Sequence, residues 1–113
     1  MKIIELQKVV IDFRDERDRE QFHNPKDLAT AIAIEAGELQ EKFLWKSREE
    51  SYDIGKNDPD VADEMADILA YILSFAEVCQ IDVAQALLKK MEHNKKKYPV
   101  EKAKGKADKY NKL

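Results

Sequence analysis

The chain has 113 residues, 38% of them charged and 43% hydrophobic, with only three glycines and three prolines. That length holds one modest core, and so many charges with so few breakers favour long amphipathic helices over a sheet. The net charge of −3, the single cysteine Cys79 and the lack of any apolar run near the ~18 residues of a membrane span exclude an internal disulfide and a spanning segment.

The first helix is expected over about 2–20, where Ile3, Leu6, Val10 and Phe13 recur at three- and four-residue spacings. This mixed, charged stretch lacks a signal peptide's apolar core, so the chain reads as a cytoplasmic protein. Asn24-Pro25 marks a turn and a helix start, and a second helix follows over about 26–46. Residues 46–58, polar and holding Gly55 and Asn57, read as a mobile loop. Asp58 as N-cap and Pro59 at the first helical position open a third helix that runs to about Gln80. Asp82 caps a fourth over about 83–97, which Pro99 ends. The chain is thus predicted to be all-α, with a domain over 1–100 and a lysine-rich tail over 101–113. From Lys89 onward ten lysines face three acids, so this end carries +7 and residues 1–88 carry −10. A solvated tail and a phosphate-facing one both fit that charge.

Two segments place carboxylates where apolar residues belong. At about 100° per residue, Glu38, Leu28, Ala31, Leu39 and Ile32 all fall within about 60° of Glu35, with Trp45 just outside. On the third helix Asp67, Tyr71, Phe75, Ile68 and Val61 fall within about 60° of Glu64. An ionised carboxylate on a buried stripe is costly, and four of them also repel one another. A cation between the helices relieves both costs, and residues three apart present two ligands on one face. Glu35, Glu38, Glu64 and Asp67 supply oxygen alone, which favours Mg²⁺ or Mn²⁺. A di-iron or di-manganese bundle would need Glu-x-x-His on two helices, but Lys90 stands three before His93, and His23 precedes the second helix.

Glu35-Ala-Gly-Glu38 followed by Glu64-Met-Ala-Asp67 resembles the paired metal motif of the MazG-like, all-α nucleoside triphosphate pyrophosphohydrolases. The flanks "ERDREQFHNPKDLATAIAIEAGELQEKFLWK", "KMEHNKKKYP" and "DKYNKL" are similar to the dCTP pyrophosphatase branch. The resemblance covers nearly the whole chain. It implies a four-helix bundle completed by homodimer or homotetramer formation, and Mg²⁺-dependent cleavage between the α and β phosphates. It implies base and sugar contacts at His23, Trp45 and Tyr71, and phosphate contacts at Asn94, Lys97 and Tyr98. Glu35 and Glu38 are candidates to accept the proton of the attacking water. One departure stands out: Arg19 occupies a position where many members of that branch carry a tryptophan. Two other classes fit the composition less well. A non-catalytic helical oligomerisation module would pair its carboxylates with Lys or Arg across an interface. A nucleic-acid binder would need a recognition helix and interleaved aromatics, and neither is found in this acidic chain.

Overall fold

The structure, a computed structural model, describes residues 1–107, 109 and 111. Positions 108, 110, 112 and 113 of the predicted tail lie outside the described residues. Those described form helices α1 (Ile3–Glu16), α2 (Pro25–Glu41), α3 (Arg48–Asn57), α4 (Pro59–Val78), α5 (Val83–Lys97) and α6 (Val100–Ala103), with a 3₁₀ turn at Glu20–Phe22 and no strand among them. The all-α expectation holds. The chain divides into two units, Met1–Ile81 and Asp82–Leu113.

In the first unit, α4 is the central element, and both α2 and α1 pack on it. The predicted starts are present with their chemistry. Asn24 Oδ1 accepts from the Asp27 amide at 2.9 Å, and Asp58 Oδ1 accepts from the Asp60 amide at 2.9 Å, each followed by a proline that needs no N–H partner. The fully buried apolar residues are Leu28 on α2 and Val61, Leu73 and Ala76 on α4. Leu28 and Val61 belong to the predicted stripes. Leu73 lies about half a turn round the helix from Glu64, where Gln7 of α1 donates to its carbonyl at 3.0 Å. The deepest burial on α4 lies in its C-terminal half, at Leu73, Ser74 and Ala76.

Three expectations are corrected. Residues 48–57 are helical, not a loop: Ser47 Oγ accepts from the Glu50 amide at 3.0 Å and the Ser47 amide donates to Glu50 Oε1, a capping box that starts α3 despite its polar composition. The first helix stops at Glu16. The Arg19 amide donates to the Arg14 carbonyl and the Asp18 amide to the Asp15 carbonyl, both at 3.1 Å, with Asp18 at φ 50°. This is a Schellman end, built here without the usual glycine. The second helix stops at Glu41, because the amides of Lys42, Phe43 and Leu44 bond back only three residues and Trp45 turns left-handed at φ 63°. Trp45 therefore leaves the helix face on which periodicity placed it.

In the second unit, Asp82 Oδ1 accepts from the Gln85 amide at 3.1 Å and starts α5, as predicted. Pro99 ends that helix and precedes the single turn of α6. No helix among the described residues is long and apolar enough to cross a membrane.

Candidate active site

The packing of α2 on α4 brings the two motifs face to face. One carboxylate oxygen each from Glu35, Glu64 and Asp67 lie within 4.8 Å of one another. Glu38 stands beside this trio, close enough to act on both Glu35 and Glu64. The four predicted ligands are therefore brought together, with Glu35 and Glu64 half-buried and Glu38 and Asp67 exposed.

Two features show that this cluster is incomplete by itself. Glu35 Oε2 and Glu64 Oε2 are buried and have no hydrogen-bond partner. The Glu35 carboxyl is also pushed up to about 7, first by loss of solvent and then by its neighbours Glu38, Asp67 and Glu64. Glu64 is raised by loss of solvent and by Glu38. Buried oxygens without donors, on acids that resist ionisation, fit a hard cation. Among the ion pairs of the described residues, none uses these four carboxylates. The nearby Lys42 is instead committed to Asp60, with Nζ 3.0 Å from Oδ2, and ties the end of α2 to the first turn of α4. No base of the described residues within the protomer is thus paired with these acids.

A cavity of about 170 Å³ opens beside Asp67, lined by Phe13 and Arg14 of α1, Arg19, His23, and Tyr71 of α4. Tyr71 and His23 were expected at the substrate, and both face this cavity next to a metal-ligand candidate. His23 Nδ1 is buried without a partner. Burial, with the positive charges of Arg14 and Arg19, lowers the His23 pKa, so the ring is neutral near pH 7. Trp45 is not in the cavity wall, and its side chain is 93% exposed. Asn94, Lys97 and Tyr98 lie on α5 and at its C-terminal cap, in the second unit.

Periodicity missed two residues of this wall. Phe13 was assigned to the core stripe of the first helix, yet it is 54% exposed at the cavity. Arg14 is 4% exposed, its Nε donating to Asp15 at 2.9 Å and its Nη1 to Glu77 of α4 at 2.8 Å. The signal was available: Arg14 stands four residues after Val10, a charge on an apolar stripe, as the carboxylates are on theirs.

The profile of the MazG-like family matches residues 30–113. A dCTP pyrophosphatase 1 of Bos taurus is 39% identical over 112 residues, and that of Homo sapiens is 36% identical; both alignments take in 96% of this chain. The chain spans 66% of the length of these relatives. The crystal structure of a pyrophosphatase from Archaeoglobus fulgidus superposes with a TM-score of 0.80 at 38% identity, covering 86% of this chain and 92% of that one.

Proposed function

We propose, starting from the fact that the chain belongs to the MazG-like family, that it hydrolyses deoxynucleoside triphosphates at the α–β phosphate bond, releasing a monophosphate and pyrophosphate. The observation that carries this reading is the pair of donorless buried oxygens on Glu35 and Glu64, facing Asp67 beside an aromatic-walled cavity. The names of the dCTP pyrophosphatases and of the archaeal pyrophosphatase support the reaction class.

Glu35, Glu38, Glu64 and Asp67 would hold Mg²⁺, or Mn²⁺ in its place. Such an ion, when bound, neutralises phosphate oxygens and makes a water more acidic. The chain's own groups do the rest. The carboxylates fix where the triphosphate stands. Glu35 or Glu38 accepts the proton of the attacking water. Tyr71 and Phe13 offer rings to a base in the cavity, and His23 offers a ring nitrogen to its edge. Trp45 is a second base contact, closing from the rim. Asn94, Lys97 and Tyr98 engage the phosphates. The substrates are pyrimidine deoxynucleotides: dCTP is accepted, and others fall within about two orders of magnitude of it, because stacking tolerates base identity.

The active form is a cytoplasmic homodimer or homotetramer. Ile34 on α2 and Met65 and Leu69 on α4 are 56%, 59% and 41% exposed, leaving apolar surface on both carboxylate-bearing helices for a second copy to cover. The catalytic domain runs over 1–100, and 101–113 is a basic tail.

The test is a product analysis with dCTP and Mg²⁺. Pyrophosphate and dCMP in equal amounts are expected. Release of orthophosphate and dCDP would assign a different bond, and no turnover of any nucleotide would reject the enzyme.

A further inference from the structure

Arg19 lines the cavity, and among the described residues its side chain has no partner. Its backbone is held in place, since its amide donates to the Arg14 carbonyl at 3.1 Å in the turn that ends α1. Its guanidinium enters none of the hydrogen bonds or ion pairs among the described residues. The neighbouring Arg14 differs, because two of its N–H groups are committed to Asp15 and Glu77. His23, which feels the Arg19 charge directly, keeps Nδ1 buried and unpartnered. The cavity therefore combines an apolar and aromatic wall with an uncommitted pure donor, and the His23 ring lines it as well.

The direction of the cavity says what meets them. Asp67, Tyr71 and Ser74 line it along α4, roughly 10 Å of helix from first to last. Asp67 marks the carboxylate end. Arg14 is tied to Glu77, nearly a turn beyond Ser74, and so marks the other end; the Arg19 backbone amide bonds to the Arg14 carbonyl, and the Arg19 side chain lines the cavity close enough for its charge to act on His23. If the triphosphate lies at the carboxylates and the base in the cavity, the base edge farthest from the sugar turns toward Arg19 and His23. In a pyrimidine that edge is N3 and the substituent on C4. A guanidinium can only donate. It donates to a C4 carbonyl oxygen and opposes a C4 amine. A neutral imidazole can accept from N3–H of the same edge.

We infer that Arg19 is a specificity-determining residue that favours 4-oxo pyrimidine triphosphates, the dUTP and dTTP class, over dCTP. This rests on the reading that a nucleoside triphosphate occupies the site, and it names the base class within that reading.

The experiment uses the full chain with Mg²⁺ and measures kcat/KM for dUTP, dTTP and dCTP on the wild type, Arg19→Gln and Arg19→Lys. Affinities for α,β-imido analogues of dUTP and dCTP are measured alongside. The wild type should prefer dUTP. Arg19→Gln, whose amide can both donate and accept, should lower the dUTP-to-dCTP ratio about tenfold, mainly through dUTP. Arg19→Lys should keep the wild-type order. The analogues should show the same inversion without turnover. Because Arg19 is exposed and its side chain holds nothing in the fold, helicity should be unchanged in both variants. If one failed to fold, the wild-type analogue affinities would still decide, since a preference for the dCTP analogue overturns the inference. An equal loss for all nucleotides would place Arg19 on the phosphates, and an unchanged ratio would place it outside the site; either result overturns the inference and leaves the reaction intact. A wild type that releases pyrophosphate from no nucleotide overturns the parent reading as well.

Discussion

Lowering the pH from 8 to 6 should weaken metal binding by an amount that Glu35 sets. Its carboxyl titrates near 7, and a cation needs it ionised. With one proton competing at that pKa, about nine-tenths of the sites are available at pH 8 and about one-tenth at pH 6, which raises the apparent Kd about tenfold. Glu64 is also raised, which acts in the same direction. The assay is calorimetric titration with Mn²⁺ at pH 6, 7 and 8, repeated in buffers of different ionisation heat to count released protons. About half a proton from Glu35 should leave per metal bound at pH 7. Folding without metal runs in the opposite direction. A carboxyl with a folded pKa above its unfolded value of 4.5 binds its proton more tightly in the native state. Its contribution to stability is complete below about 4.5 and is lost as the pH rises through about 7. Metal-free protein should therefore melt at a lower temperature at pH 8 than at pH 6, while the added stability from Mn²⁺ should be larger at pH 8. A Kd that stays within twofold from pH 6 to 8, with no proton release, would refute the placement of Glu35 at the cation.

Other outcomes follow from the same geometry. Glu38→Gln and Asp67→Asn should each weaken metal binding and lose most activity while circular dichroism stays helical; EDTA should abolish turnover, and hydrolysis undiminished in excess chelator would remove the metal from the reaction. Saturating Mg²⁺, at about a hundred times its Kd, should add about 2.7 kcal/mol to stability, read as a rise in Tm. Trp45→Gly should hold or raise Tm, because glycine relieves the left-handed backbone at φ 63°, while KM rises for every good substrate; an unchanged KM would take Trp45 out of the site. Light scattering at micromolar concentration should return a multiple of 13.1 kDa, and a single-chain mass would contradict the proposed assembly.

What could be read from sequence was what periodicity and side-chain caps encode. Glu35, Glu38, Glu64 and Asp67 were legible because a carboxylate on an apolar stripe has few cheap explanations, and α2 packing on α4 brings all four together. The starts of α2, α4 and α5 were legible because Asn24, Asp58 and Asp82 cap with their own side chains. The ends of α1 and α2 were not, although that of α5 at Lys97 was. Asp18 and Gln80 turn left-handed at φ 50° and 55° to end α1 and α4, and no glycine announces either turn. The consequence reaches the site. Reading the first helix through residue 20 leaves Arg19 on a helical surface, whereas the turn at Asp18 folds it back onto Arg14 and into the cavity wall.

Trp45 was misplaced for the same reason, with a different result. Continuing the second helix to 46 sets its ring at the edge of the carboxylate stripe. Ending the helix at Glu41 frees the segment to adopt a backbone that a bulky side chain rarely tolerates, and leaves the ring 93% exposed. A non-glycine residue held left-handed costs about 1–3 kcal/mol, and such strain tends to persist at ligand clamps. An indole that packs against nothing in its own protomer gains nothing there to offset that cost. A bound base or a second copy of the chain would each supply an offset. These two sources separate experimentally. If a base supplies it, Trp45→Gly raises KM at every protein concentration. If the partner copy supplies it, the same substitution shifts the mass seen by light scattering toward the single chain, and KM follows only as the assembly is lost.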